Sequence, residues 1–279
     1  GGLVGYFSYD YMKYAEPTLK LTAKDEEGFK DVDLMLFDKI IAFDNLRQKL
    51  ILIVNMPLDD IEVGYNKAVL ELRQLVELLR TGAKKQDRAG RLLGPVTPLF
   101  GRENFCRMVE QAKVHIREGD IFQIVLSNCL SAPFEGSLFN TYRVLRTLNP
   151  SPYMFYFSGT DVEVAGASPE TLVKLEDGVL HTFPLAGTRP RGETAAQDQA
   201  LEAELLDDDK ELAEHDMLVD LGRNDLGKVS RFGTVAVEQF HTIQRFSHVM
   251  HIGSTIRGEL RQDRDALDAV AAVLPAGTL

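Results

Sequence analysis

Residues 210–227 read Lys210-Glu211-Leu212-Ala213-Glu214-His215-Asp216-Met217-Leu218-Val219-Asp220-Leu221-Gly222-Arg223-Asn224-Asp225-Leu226-Gly227, and no other stretch constrains the fold as strongly. Glu211, Glu214, Leu218 and Leu221 recur at the three-to-four-residue spacing that makes side chains neighbours on a helix. Met217, Leu218 and Leu221 are apolar enough to seat that helix on a core. Two carboxylates held beside a packed surface need neutralising, because buried charge is costly unless paired or bound to metal. An Mg²⁺ ion that meets an anionic substrate would suit, since Mg²⁺ commonly takes one or two carboxylates and leaves other positions open. The same spacing also fits a solvated acidic face that needs no ion.

The bulk properties fit one or two globular domains. A net charge of −11 argues against a nucleic-acid or anionic-membrane surface, either of which wants a basic patch. Cys106 and Cys129 give no disulfide framework or metal-ligand spacing, and we read both as reduced thiols of a cytoplasmic protein. No apolar run approaches membrane-spanning length, and the first residues do not have the plan of a signal peptide. The chain opens on Gly1-Gly2 inside what reads as a strand, and stops after a Pro275-Ala276-Gly277-Thr278 turn. Both ends look cut, so we expect a fragment.

Along the chain, residues 34–43 and 49–54 are apolar and β-rich around an Asp44-Asn45 turn, which predicts a hairpin. Residues 61–79 have a helical period, with Leu70, Leu72, Leu75, Val76 and Leu79 on or near one face. Residues 84–98 mix Lys84, Lys85, Arg88 and Arg91 with Gly and Pro, and this is the best linker between a region over 1–83 and a second over 99–279. Residues 102–117 predict an amphipathic helix closed by Gly119, 120–130 a strand, and 137–148 a helix stopped by Asn149-Pro150. Short strands follow at 153–157, 162–165, 171–175 and 179–183, the last two joined by an Asp177-Gly178 turn. Residues 193–204 read as a mobile loop or as the start of the Glu211 helix. Strands at 235–237 and 247–256 and a helix over 264–273 complete the pattern. Helices and strands mix without regular alternation, so the fold class is α+β.

Five separated words carry a resemblance: Ala167-Ser168-Pro169-Glu170, Pro184-Leu185-Ala186-Gly187-Thr188-Arg189-Pro190-Arg191-Gly192, the Glu211 helix, Val249-Met250-His251, and Pro275-Ala276-Gly277-Thr278-Leu279. In this order they resemble the signature of the chorismate-utilising enzymes, the anthranilate synthase component I branch in particular. The likeness runs from Gly5-Tyr6-Phe7-Ser8-Tyr9-Asp10 to the last residue. It implies a fold of β-sheets packed around a chorismate site, incomplete here because family members carry sequence before Gly1 and a catalytic segment after Leu279. The region over 1–83 would then be the later part of an N-terminal regulatory-type region, and 99–279 the earlier part of the chorismate-binding domain.

The resemblance also implies roles. Glu214 becomes a ligand of the Mg²⁺ that clamps the ring carboxylate of chorismate, with Glu211 one turn away behind it. Glu170, at a strand end where a carboxyl can be partly desolvated, becomes the general acid for the departing 4-hydroxyl, since hydroxide is a poor leaving group. His251, which would otherwise read as a core histidine, supports the later elimination of pyruvate. Gly187 and Thr188 read as a loop whose backbone N–H groups and hydroxyl meet the substrate, and Thr278 has a similar assignment. Arg223, Asn224 and Asp225 read as structural, and His215, His241 and His248 as structural or surface residues.

Two positions bear on specificity. Gln123 stands where water-using relatives carry a Lys, and a neutral amide cannot take a proton at ordinary pH. Ala186 stands where many aminodeoxychorismate synthases carry a nucleophilic Lys, and alanine cannot be a nucleophile. Ammonia from a glutamine amidotransferase subunit remains, because neither cysteine has a suggestive glutaminase partner. Pro152, Tyr153 and Met154 match residues that line a tryptophan feedback site, whose other wall comes from sequence before Gly1 in the family. The expectation is the conversion of chorismate and ammonia to anthranilate and pyruvate in tryptophan biosynthesis, with the fragment inactive alone. The rivals are aminodeoxychorismate synthase component I and a non-catalytic folded module.

Overall fold

The computed structural model describes residues 1–22, 25, 27–84 and 88–277, which form two compact units. The first comprises Gly1–Gln86 with Gly159–Val162, the second Asp87–Ser158 with Glu163–Leu279. Part of the sequence-derived linker, residues 85–87, lies outside the described residues.

In the first unit, β1 (Gly2–Phe7) leads to the short helix α1 (Met12–Ala15), and β1 then pairs antiparallel with β2 (Val32–Phe37). A Cβ on Gly5 would meet Asp33 O, so the close approach of these strands needs glycine there. β3 (Lys39–Asp44) and β4 (Lys49–Val54) form the expected hairpin, in which the Asp44 carboxylate accepts from Arg47 N–H at 2.8 Å. The apolar run 34–43 is therefore two strands broken at Asp38, because its first half belongs to β1 rather than to the hairpin. α2 (Ile61–Thr81) is capped by Asp60, which accepts from Val63 N–H at 3.1 Å. Its inward face runs through Gly64, Ala68, Leu72 and Leu75, and leaves Leu70, Val76 and Leu79 exposed.

The second unit opens with β5 (Arg91–Leu92), β6 (Thr97–Pro98) and α3 (Arg102–Glu118), which ends at Gly119 with a left-handed φ of 80°. β7 (Leu130–Ser131) pairs with β6, and β8 (Phe134–Glu135) with β5. Of the strand expected over 120–130, only Leu130 lies in a strand. Phe122, Ile124 and Val125 are exposed, and an alternating apolar pattern forms a ladder only where another backbone lies beside it.

α4 (Phe139–Leu148) packs on the hairpin of β9 (Tyr153–Ser158) and β10 (Glu163–Ser168). Glu163 joins them, accepting from Leu138 N–H at 2.7 Å and from the Tyr156 hydroxyl at 2.6 Å. β11 (Lys174–Glu176) and β12 (Val179–Thr182) turn at Asp177-Gly178, both at positive φ as this tight hairpin requires.

The main sheet continues through β13 (Leu185–Pro190), β14 (Ala236–Arg245) and β15 (Val249–Glu259). β15 is its spine: β12 and β13 follow one another along one side, and β14 pairs along the other. Residues 193–204 are neither a loop nor the start of the long helix. They lie mostly in a separate helix, α5 (Ala195–Leu206), nucleated by a reciprocal capping box of Thr194 and Gln197. α6 (Asp209–Val229) then crosses the sheet, and α7 (Ala266–Val273) packs beside it.

Two clusters of buried residues hold this layer together. Leu180, Val219, Leu226, Val229, Ile256, Ala269, Ala272 and Val273 join α6 and α7 to the sheet, while Leu205, Met250 and Ile252 join α5 to it. Gly222 permits the close crossing of α6, since a Cβ there would lie 2.7 Å from Ile256 Cδ1. The mixed architecture agrees with the α+β expectation.

Candidate active site

A cleft of about 630 Å³ in the second unit is lined by Gln123, Glu170, Ala186, Gly187, Thr188, Glu211, Glu214 and His251, among others. Residues as far apart in sequence as Gln123 and His251 thus meet at one place, and each wall has a local cause. β10 ends at Ser168, whose hydroxyl oxygen accepts from Glu170 N–H at 3.2 Å, so the chain turns at Pro169 and presents a half-buried Glu170 to the cleft.

The Gly187 word differs from the loop expected of it. It is β13, an antiparallel partner of β15 whose register shifts between Ala186 and Thr188. Gly187 is the extra residue, with φ 66°, and forms a glycine β-bulge. Two prolines and a glycine disguise the strand because each weakens the β signal singly. Gly187 is buried: a Cβ there would lie 3.1 Å from Leu205 Cδ1, 3.2 Å from Ile252 Cδ1 and 3.4 Å from Glu211 Cβ. The missing side chain lets α6 come down onto the bulge. Across β13, His251 Nδ1 lies 3.1 Å from the Gly187 carbonyl and 3.1 Å from Thr188 Oγ1.

α6 supplies the acidic wall. Asp208 caps it, accepting from Lys210 N–H at 3.1 Å and Glu211 N–H at 3.2 Å. Those backbone bonds to Glu211, and then the Arg189 guanidinium at 2.9 Å, hold the Asp208 carboxyl below its usual range. Arg189 also donates to Glu204, and Arg191 makes a bidentate pair with Asp198, holding that carboxyl at about 2. Sequence reasoning missed this work of the two arginines, which fix β13 to α5 and to the start of α6. The signal was present in the acidic Asp198, Glu204 and Asp208 downstream.

Glu211 and Glu214 lie one turn apart and half-buried at the cleft. Glu211 Oε1 accepts from Lys210 Nζ at 3.1 Å, and Glu214 feels the charge of the same ammonium without a hydrogen bond among the described residues. A half-buried carboxylate that no hydrogen bond satisfies is the kind of group a hard cation can take up, so Glu214 could serve as a ligand of Mg²⁺. Among the described residues the one trio of convergent metal-type ligands, His115, Glu118 and Asp120, is exposed at the end of α3 and does not line the cleft.

His215 sits behind Glu214, fully buried, with Nε2 2.7 Å from Ser254 Oγ. Burial, helped by the nearby His241, pushes its pKa down to about 4, so the ring is neutral. His241 pairs with Asp216 at 2.7 Å. Arg223 pairs with Asp220, and Lys228 ties Asp225 to the Ala272 carbonyl, so Arg223 and Asp225 have the structural partners expected of them. Tyr153, on β9, accepts from the Thr171 hydroxyl at 2.6 Å, and Met154 faces Ala167 across the ladder. Pro152 and Tyr153 are exposed and do not line the cleft. Thr278 lies outside the described residues, while the preceding Ala276 and Gly277 line an adjoining hollow together with Glu170. Both cysteines are free and exposed, and no helix among the described residues is long and apolar enough to cross a membrane.

The family model of the chorismate binding enzymes matches residues 1–279. The chain belongs to that family. It is 46% identical over 287 residues to anthranilate synthase component 1 of Acetivibrio thermocellus, covering 100% of this chain and 58% of that protein. It is 41% identical to aminodeoxychorismate synthase component 1 of Bacillus subtilis, covering 100% of this chain and 59% of that protein. The crystal structure of anthranilate synthase component I from Streptococcus pneumoniae has the same fold, with a TM-score of 0.86 at 36% identity, over 100% of this chain and 61% of that one. The chain therefore spans under two thirds of the length of these chorismate-binding relatives.

Proposed function

We propose that this chain provides the Glu170, Thr188, Glu214 and His251 part of an anthranilate synthase component I site, acting in cytoplasmic tryptophan biosynthesis. The observation that carries this reading is the convergence of those residues on one cleft, together with Gln123 and Ala186. At the two positions where relatives place a lysine the cleft has a neutral amide and a methyl group, so this chain offers no nucleophile of its own there. Ammonia, delivered by a glutamine amidotransferase subunit, adds to C2 of chorismate as the 4-hydroxyl leaves, and pyruvate is then eliminated to give anthranilate. Tryptophan binding at Pro152, Tyr153 and Met154 belongs to the same proposal.

Glu170 gives a proton to the departing 4-hydroxyl, which leaves as water. Gly187 and Thr188 orient the substrate from the bulged strand, and His251 supports the second step from the neighbouring strand. Glu214 would hold Mg²⁺, with Glu211 behind it. When bound, the ion supplies positive charge to a substrate carboxylate, which a chain of net charge −11 does not offer through its overall field. Buried His215 and the Asp208 cap keep the acidic wall in place. We propose further that turnover needs a polypeptide of the relatives' length, and that these 279 residues alone form no measurable anthranilate.

The Bacillus subtilis relative supports a second reading, in which the product is an amino-chorismate that keeps its enolpyruvyl group. Chromatography of the products formed from chorismate, Mg²⁺ and ammonium by a polypeptide of the relatives' full length containing this chain separates the two. Anthranilate with an equal amount of pyruvate is the expected result. An amino-chorismate without pyruvate would establish the second reading instead.

A further inference from the structure

We propose that the Gly187 bulge fixes His251 as the Nδ1–H tautomer, which leaves Nε2 as the ring nitrogen with a lone pair for the substrate and frees the Thr188 hydroxyl hydrogen to donate to a substrate carboxylate. A carbonyl oxygen only accepts hydrogen bonds, so a ring nitrogen 3.1 Å from Gly187 O must carry the proton. A neutral imidazole has one N–H, and Nε2 is therefore unprotonated. The Thr188 hydroxyl lies 3.1 Å from the same nitrogen. Because that nitrogen donates, the hydroxyl oxygen can only accept from it, and its own hydrogen is left for another acceptor.

The arrangement depends on the backbone. Gly187 is the extra residue of the bulge with φ 66°, and the register shift brings its carbonyl as well as the Thr188 side chain to His251. In a regular antiparallel ladder a carbonyl that faces the partner strand is taken by that strand's backbone N–H, so it is the bulge that turns one to the ring instead. Phe246 packs against the imidazole at 5.5 Å and 61°, which restricts ring rotation. The bulge thus sets the polarity of two groups lining the cleft: an acceptor at Nε2 and a donor at Thr188. The assignment rests on the proposed function only for the identity of the substrate.

Nitrogen-15 spectra of the intact chain, labelled at histidine, read the tautomer directly. The His251 signals are identified by their loss in His251→Gln. At a pH where the ring is neutral, we expect a pyrrole-like Nδ1 and a pyridine-like Nε2, and the same pattern in Thr188→Val, because the carbonyl sets the tautomer. A pyridine-like Nδ1 in the wild type would overturn the proposal. So would a switch of tautomer in Thr188→Val, which would make the hydroxyl, rather than the bulge, the controlling group. Anthranilate release, assayed separately, tests the functional reading, so failure of one is distinguishable from failure of the other.

Discussion

At Gly187 a missing side chain governs three contacts at once: the bulge in β13, the approach of α6 at Glu211, and the carbonyl offered to His251. Gly187→Ala would place a Cβ at positive φ among atoms 3.1–3.4 Å away. We expect a loss of about 1–3 kcal/mol, read as a lower urea midpoint. His215 acts at the same scale through protonation. Its pKa falls from 6.5 to about 4 on folding, so its neutral form stabilises the native state fully above pH 6.5. That contribution, about 3 kcal/mol, is lost as pH drops from 6.5 towards 4. Chemical unfolding at a series of pH values should show a shallower decline over this window in His215→Gln. An unchanged slope would remove the residue from the acid response. The residues that line the cleft could be picked out because the words around them are specific, whereas the fully buried state of His215 could not, because a lone histidine in a helix gives no sign of which way it points.

Among the elements, several that satisfy themselves locally agree with the sequence expectation. α3 has an amphipathic face and a glycine stop, and the hairpins have Asp44 and Asp177-Gly178 at their turns. β15 was also expected, although it depends on distant partners, but two other elements that depend on such partners differ from the expectation. Among the described residues the pattern over 120–130 makes no ladder before Leu130, and β13 is a strand because β15 pairs with it despite its prolines. α5 was missed for a local reason: Thr194-Ala195-Ala196-Gln197 is a capping-box sequence hidden in a polar stretch. The Arg191–Asp198 pair ties that helix to β13 and gives a prediction at this scale. Arginine holds the Asp198 carboxyl at about 2, below the usual 3.8, so the pair stabilises fully above pH 3.8 and weakens as pH falls towards 2. Arg191→Ala should therefore lower the melting temperature most near neutral pH, with the gap to wild type narrowing below about pH 3.8. A gap independent of pH would mean that the arginine acts through packing alone.

For the whole molecule, the second unit gathers a metal-compatible carboxylate, an acid at a strand end, a bulged edge strand and a histidine around one cleft. No single element contains this site; the sheet assembles it from residues more than one hundred positions apart, and that assembly could be anticipated only from the order of the words along the chain. In the proposed function, loss of the 4-hydroxyl depends on a proton from Glu170. Anthranilate fluorescence tests it most directly, with chorismate, Mg²⁺ and ammonium added to a polypeptide of the relatives' full length carrying this chain. Signal is expected in the wild type, with a fall of about 10²-fold or more in Glu170→Gln, the scale of general acid catalysis. Undiminished fluorescence from Glu170→Gln would contradict it.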